Sequence, residues 1–361
     1  MGITEKIAEI EQQMSKTQKH KGTEHHLGML KAKLAKLREQ AESGTRGGTG
    51  AGKGFDVKKS GNATVVFIGL PSVGKSTLLN ALTGAESKTA AYAFTTVTVI
   101  PGIMPYKGAK IQLLDLPGII SGASKGRGRG REVLAVARNA DLVLLMLDVK
   151  DVNYASKLKE ELHDIGIRVD EEPPNISIEK TEKGGLEIHY LVKPTRLNDK
   201  TVAAVLGEYG IFSATVLIKE DATVDRLIDS ILGNRKFVPS LTIVNKIDLL
   251  GKGEAKKIDP AYAKVSAEKK IGIDELKEKI YRKLNLMRVY TRSRFEKVDL
   301  DAPLMMRSGS TVAELCDLVH RDLRSLFKFA EVWGKSAKHP GQKVGLGHRL
   351  QDGDIVLIHK K

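Results

Sequence analysis

Apolar residues recur at three- and four-residue steps along Ile3, Ile7, Ile10 and Met14, and again along Leu27, Leu30, Leu34 and Leu37. That period makes one face of a helix apolar, so the spacing predicts a helical hairpin over 3–40. Lys21-Gly22-Thr23 supplies the break and an N-cap between the two helices. Lys16, Lys19, Lys21, Lys31, Lys33, Lys36 and Arg38 cover the other faces, readable as solvated surface or as a contact for RNA or a partner. Gly44, Gly47, Gly48, Gly50, Gly52 and Gly54 follow, too dense for helix or strand. A flexible joint is expected there.

Beyond the joint the pattern changes to short apolar runs: Val65–Leu70, Ile111–Leu116, Leu142–Asp148 and Leu241–Asn245. Runs of this kind fit strands buried on both faces of a parallel sheet, and the amphipathic stretches between them predict a doubly wound α/β fold. From Asp148 to Asn245 the chain runs 97 residues, whereas one strand–helix–strand crossover needs roughly 30. An insert of about 60 residues must sit there. Asn175–Glu179 and Leu186–Val192, joined by Lys183-Gly184-Gly185, read as a hairpin. A helix (Lys200–Glu208) and a strand (Ala214–Ile218) follow, giving a small α+β subdomain at 168–222. After 288, Thr311-Val-Ala-Glu314 is a capping box opening a helix to about Leu326. Asp352-Gly353-Asp354 then turns into the strand Ile355–Ile358, as in a compact β-grasp-like module. The predicted layout is hairpin and linker at 1–54, an α/β domain at 55–287 that carries the insert, and a C-terminal module at 288–361.

Composition narrows the class. The 361 residues carry a formal net charge of +15 and 41% hydrophobic residues, enough for a core and an excess that favours polyanionic partners. Residues 1–54 carry a net +4 and 288–361 a net +5, so no single arm explains the charge. One cysteine excludes a disulfide framework, and Cys316, spaced with Leu315, Val319 and Leu323, reads as a packed thiol. The chain opens polar and charged, with lysine at position 6, so neither a signal peptide nor myristoylation is expected. The longest apolar run, Leu142–Leu147, is too short to cross a bilayer, so no membrane association and a cytoplasmic location are expected. His25-His26 reads as a surface pair, and Tyr290, Phe327, Phe329 and Trp333 as core of the C-terminal module.

Chemistry enters at Gly69-Leu-Pro71-Ser72-Val73-Gly74-Lys75-Ser76-Thr77, between a predicted strand and a predicted helix. This is the phosphate-binding loop in its required context. Glycines let backbone N–H groups crowd around phosphates, and the helix N-terminus adds its positive end. Lys75 is expected to reach the β- and γ-phosphates, and the Ser76 hydroxyl to bind a magnesium ion (Mg2+). Asp115-Leu-Pro-Gly118 ends the next strand: Asp115 can hold Mg2+ through water, and the Gly118 N–H can sense a γ-phosphate. Asn245-Lys246-Ile-Asp248 ends a later strand. A carboxylate at Asp248 accepts two hydrogen bonds from guanine, whereas adenine offers no such donor pair. Asn245 is expected to brace neighbouring loops, Lys246 to stack along the base, and Ser266-Ala267 to complete the pocket through a backbone N–H. In Tyr92-Ala-Phe-Thr95-Thr96, Thr95 and Thr96 compete to close over the γ-phosphate and complete the Mg2+ shell, with Thr96 preferred. Four motifs in this order predict a site for GTP and GDP, with Lys75, Thr96 and Gly118 as the catalytic candidates.

Together with Lys16-Thr-Gln-Lys19, Ala93-Phe-Thr-Thr96 and Asp115-Leu-Pro-Gly-Ile-Ile120, these motifs make nearly the whole chain resemble the developmentally regulated GTP-binding proteins, in the Obg branch of P-loop GTPases. The chain looks like an archaeal member. The resemblance implies a P-loop GTPase domain with an inserted ribosomal-protein-S5-like subdomain, an N-terminal helix-turn-helix and a C-terminal TGS domain of β-grasp type. It also implies ribosome-associated work as a switch. Eukaryotic members work with a dedicated stabilising partner protein, which makes one a candidate here. Obg proper carries a glycine-rich N-terminal domain that this chain lacks.

Two departures from Ras-like GTPases matter. The position that orients the attacking water is Ile119, which neither donates nor accepts a hydrogen bond, so slow intrinsic hydrolysis is expected, no faster than roughly 10⁻⁴–10⁻³ s⁻¹. A potassium ion (K+) near Ser72 is one candidate for the missing charge. Another is the segment Ser121–Arg131, where Lys125, Arg127, Arg129 and Arg131 alternate with glycines: an internal arginine finger, an RNA contact, or a solvated loop. The competing reading is an RNA- or ribosome-binding scaffold that guanine nucleotide merely stabilises.

Overall fold

The structure, a computed structural model, describes residues 2–18, 23–43, 60–83, 100–115, 136–251, 253–292, 300 and 303–360. The chain divides into two compact units, one of residues 1–56, 121–138 and 159–238, the other of 57–120, 139–158 and 239–361.

The second unit holds the sheet that the apolar runs foretell. β1 (Ala63–Gly69), β3 (Ala109–Asp115), β4 (Leu142–Asp148), β10 (Ser240–Asn245) and β11 (Ala263–Lys264) are mutually parallel, and β2 (Ile100–Tyr106) pairs antiparallel with β3. The strand order is β11-β10-β4-β1-β3-β2. Every residue of β1, β4 and β10 is buried, as expected for strands covered on both faces. Leu78, Leu79 and Leu82 of α3 (Lys75–Thr83) and Leu276 and Ile280 of α7 (Ile273–Lys283) pack into the same core. The register pairs Phe67 with Asp115, Gly69 with Met146 and Asn245 with Asp148. The strand ends therefore step across the sheet, β3 stopping two residues short of β1 and β1 two short of β4 and β10, and β1 is the point where the chain order reverses, where such sheets bind ligands.

The same unit contains a five-stranded sheet, ordered β13-β12-β16-β14-β15, from β12 (Leu286–Thr291), β13 (Leu304–Arg307), β14 (Phe327–Trp333), β15 (Gln342–Val344) and β16 (Asp354–Lys360). α8 (Val312–Val319) buries Val312, Leu315 and the free thiol Cys316 against Met287, Val289, Ala330, Val332 and Val356. Burial pushes the Cys316 thiol above its ordinary pKa. Thr311 and Glu314 form the capping box. The helix stops at Val319 rather than near Leu326, with His320 extended. β14 must open at Phe327 in register with Lys360, so residues 320–326 are needed for the return. Of the four aromatic residues read as core, only Phe327 is buried. Tyr290, Phe329 and Trp333 alternate with Val289, Ala330 and Val332 and so lie half-buried on the opposite face. There Phe329 stacks on His359 at 4.3 Å, with Lys343 over Phe329 and Arg292 over Trp333.

In the first unit, α1 (Ile3–Lys16) and α2 (Glu24–Ser43) bury Ile10, Leu30 and Leu34 against each other. His25 and His26 are exposed. Between Asp148 and Asn245 lie α4 (Ala155–Asp164), the pair β5 (Ile167–Val169) and β9 (Lys236–Val238), and a layer of three strands and two helices. The strands are β6 (Ile176–Lys180), β7 (Leu186–Tyr190) and β8 (Ala214–Ile218); the helices are α5 (Asp199–Glu208) and α6 (Val224–Leu232). β6 and β7 do not form the expected hairpin. β8 lies between them, antiparallel to β6 and parallel to β7. Its alternating Ala214, Val216 and Ile218 are fully buried, which suits the central position better than the half-exposed β7. The packed layer also runs past 222: Leu227 and Ile228 of α6 join Val202, Val205 and Leu206 of α5. α2 packs here too, through Ala32, the Lys31–Asp225 ion pair at 2.6 Å and Lys36 Nζ donating to the Glu208 carbonyl. Inside the layer Arg168 grips buried Asp229 with two hydrogen bonds of 2.6 Å.

Candidate nucleotide-binding site

β1 delivers the chain to Gly69, and α3 receives it at Lys75. A Cβ on Gly69 would run into the carbonyl of Met146 on the neighbouring strand. One on Gly74, whose φ is 89°, would stand 2.5 Å from Asn245 Nδ2. Pro71 and Ser72 are exposed at the tip, Val73 is buried beneath it, and Ser76 and Thr77 are exposed on the first turn of α3. Lys75 is buried, its ammonium donating to the carbonyls of Gly69 (3.1 Å) and Leu70 (3.0 Å), which leaves one N–H for a further acceptor. Burial lowers its pKa against the opposing pull of Asp115.

Ser76 Oγ donates to Asp115 Oδ2 at 2.5 Å. Asp115 is 1% exposed, and its Oδ1 is buried without a hydrogen-bond partner among the described residues. A buried carboxylate oxygen left unpaired beside a hydroxyl is a costly arrangement in a protein interior. Two hard oxygen donors so placed suit Mg2+, which takes one or two protein oxygens together with phosphates and water. The residues present fit that ion.

The guanine motif is tied to the phosphate-binding loop. Asn245 Nδ2 donates to the Val73 carbonyl at 2.9 Å, and its Oδ1 accepts the Ala267 N–H at 3.0 Å. Lys246, in left-handed backbone (φ 66°), donates from Nζ to the Ser72 carbonyl at 2.8 Å and to Asp148 Oδ2 at 2.6 Å. Asp248 sits in the single turn Ile247–Leu249, exposed and engaging no described residue. Ser266 and Ala267 lie beside Asn245. The Ser266 N–H donates to the Ile271 carbonyl and the Ala267 N–H to Asn245, so both are already engaged. Thr95, Thr96, Gly118, Ile119 and the Ser121–Arg131 segment lie outside the described residues.

Asp148 is the residue that motif reading missed. Its signal was weak: a carboxylate ending a wholly apolar strand. Its partner became visible only through the β4–β10 register.

Among the described residues no helix is long and apolar enough to cross a membrane. Residues 64–180 match a family described as 50S ribosome-binding GTPase, residues 183–286 the C-terminal region of that domain, and residues 287–360 the TGS domain. An uncharacterised GTP-binding protein of Methanocaldococcus jannaschii is 52% identical, covering 99% of this chain and 93% of its own. Developmentally-regulated G-protein 3 of Arabidopsis thaliana is 48% identical over 99% of both chains. Developmentally-regulated GTP-binding protein 2 of Homo sapiens is 46% identical over 100% of both. With a phosphate-binding loop, a guanine motif braced against it and a TGS domain behind them, the chain belongs to the developmentally regulated GTP-binding proteins, P-loop GTPases with a C-terminal TGS domain.

Proposed function

We propose that this protein hydrolyses GTP to GDP and phosphate, slowly on its own, as a switch on the translation machinery. The observation that carries the reading is the unpaired Asp115 Oδ1 beside Ser76 and Lys75, at the carboxyl ends of β1 and β3. Lys75 turns its remaining N–H to the β- and γ-phosphates and bears charge that develops as water attacks the γ-phosphorus. Mg2+, held by Ser76, Asp115 and Thr96, would neutralise charge on the same phosphates. Asp248 accepts from the guanine base, with Lys246 along its face. Ser266-Ala267 would close the pocket beside the base. Thr96 and the Gly118 N–H distinguish GTP from GDP, and K+ near Ser72 is a further candidate ligand. No protein nucleophile is required.

The ribosomal half of the reading rests on the distributed net charge of +15 and on the description of the matching family. Ile119 favours a second reading, an RNA- or ribosome-binding scaffold in which turnover has no role. The test is single-turnover GTP hydrolysis with and without purified ribosomes, in Na+ and in K+. Ribosome stimulation supports the switch. Equal ribosome affinity with GDP and with a non-hydrolysable GTP analogue supports the scaffold, since a ligand without differential binding shifts no equilibrium.

A further inference from the structure

Two residues of the site hold left-handed backbone without being glycine, Ser72 (φ 63°) and Lys246 (φ 66°). Such backbone is uphill for residues that carry a side chain, and it persists where surrounding contacts over-determine it. Here the two face each other, because Lys246 Nζ donates to the Ser72 carbonyl. A lysine has four rotatable bonds and would not keep that carbonyl by itself. A second acceptor, Asp148 Oδ2, fixes the ammonium at 2.6 Å.

Asp148 is itself fixed three ways. Its Oδ1 accepts the Lys150 N–H at 3.2 Å, its carbonyl accepts the Asp151 N–H at 3.0 Å, and its backbone stands opposite Asn245 in the β4–β10 pairing. Its side chain is 13% exposed and that of Lys246 35%, so solvent screens the pair only in part. Burial works against its charge, but the hydrogen bonds from Lys246 and from the Lys150 amide hold the carboxyl below the usual carboxylate range. Asp148 is therefore a carboxylate at neutral pH.

We infer that Asp148 is a positioning residue: it clamps Lys246 onto the Ser72 carbonyl, so that the guanine motif and the phosphate-binding loop move as one and a bound guanine nucleotide leaves slowly. Asn245 ties the buried side of the same two segments through Val73 and Ala267; Asp148, Lys246 and Ser72 tie the outer side. The inference rests on the guanine-nucleotide reading of the site.

The test is release of N-methylanthraniloyl-GDP from the full-length protein, chased with unlabelled GDP. Asp148→Asn keeps the shape and removes the charge, and it is expected to speed release about tenfold. Lys246→Met speeds release at least as much. The double variant is no faster than Lys246→Met alone, because the aspartate has then lost the group it acts through. Effects that multiply in the double variant, or an Asp148→Asn rate within twofold of the parent, overturn the inference. The inosine analogue N-methylanthraniloyl-IDP lacks the exocyclic amine that Asp248 accepts, so it leaves the parent faster than the guanine probe. Asp148→Asn is expected to preserve that ratio. A ratio collapsing toward one shows that Asp248 has been displaced with its whole loop, and overturns a role exerted through Lys246. If the parent chain fails to retain N-methylanthraniloyl-GDP at all, it is the nucleotide site that falls.

Discussion

The six-stranded sheet has two ends, and they are built differently although an aspartate marks β4 at each. At the amino end, Asp141 accepts the Thr64 N–H at 2.9 Å through Oδ2 and the Arg307 guanidinium through Oδ1. Both oxygens are engaged, joining β1, β4 and the TGS domain's β13. At the carboxyl end, Asp115 keeps an unpaired buried oxygen and Asp248 engages no described residue. Hydrogen bonding completed within the chain marks the end that holds the fold together. Capacity left over marks the end that awaits a ligand.

Removing the cation at the carboxyl end should have the largest effect. Lys75→Ala is expected to slow single-turnover GTP hydrolysis by about 10²–10³-fold, the scale for losing a preorganised charge contact to a transition state. A loss under tenfold would shift the developing charge onto other groups. Asn245→Ala comes next. It strips the Val73 carbonyl and the Ala267 N–H of their buried partner, and about 2–4 kcal/mol of stability should disappear in urea unfolding of the nucleotide-free protein. A loss below 1 kcal/mol would make the tie incidental.

A smaller effect follows from protons. The folded chain releases the Lys75 proton at lower pH than the unfolded chain, whose lysine titrates near 10.5. Between those two values the unfolded state binds more protons, so stability of the nucleotide-free protein should rise with pH relative to Lys75→Met. Phosphates reverse the shift, and GDP binding in that window should take up part of a proton, readable by calorimetry in buffers of different ionisation enthalpy. The smallest change belongs to the amino end. Arg307 is 63% exposed, so Arg307→Ala should cost no more than about 1 kcal/mol and leave GDP release unchanged within twofold. Release accelerated several-fold would show that the two ends are coupled.

What could be read from the sequence follows the range of the interactions. The phosphate-binding loop and guanine motif place their groups within a few residues, and Leu142–Asp148 coincides with β4 because burial on both faces leaves an unbroken apolar run. That β8 would part β6 from β7 is a choice among distant partners, which local pattern does not encode. Asp148 gains a role only by standing opposite Asn245. The Ser266 and Ala267 amides are engaged by Ile271 and Asn245, contacts fixed by a bridge and a buried side chain. Tyr290, Phe329 and Trp333 could have been placed better, since their alternation with Val289, Ala330 and Val332 already puts them on the opposite face of their strands.

The docking of α2 has a consequence for synthesis. Leu30 and Leu34 meet Ile10 as soon as the hairpin exists, but Lys31 waits for Asp225, 194 residues further on. A chain extended at about 5–20 residues per second spends roughly 10–40 s covering that distance. All through it the face of α2 around Ala32 travels uncovered, while β1 to β4 of the nucleotide-binding sheet are being made.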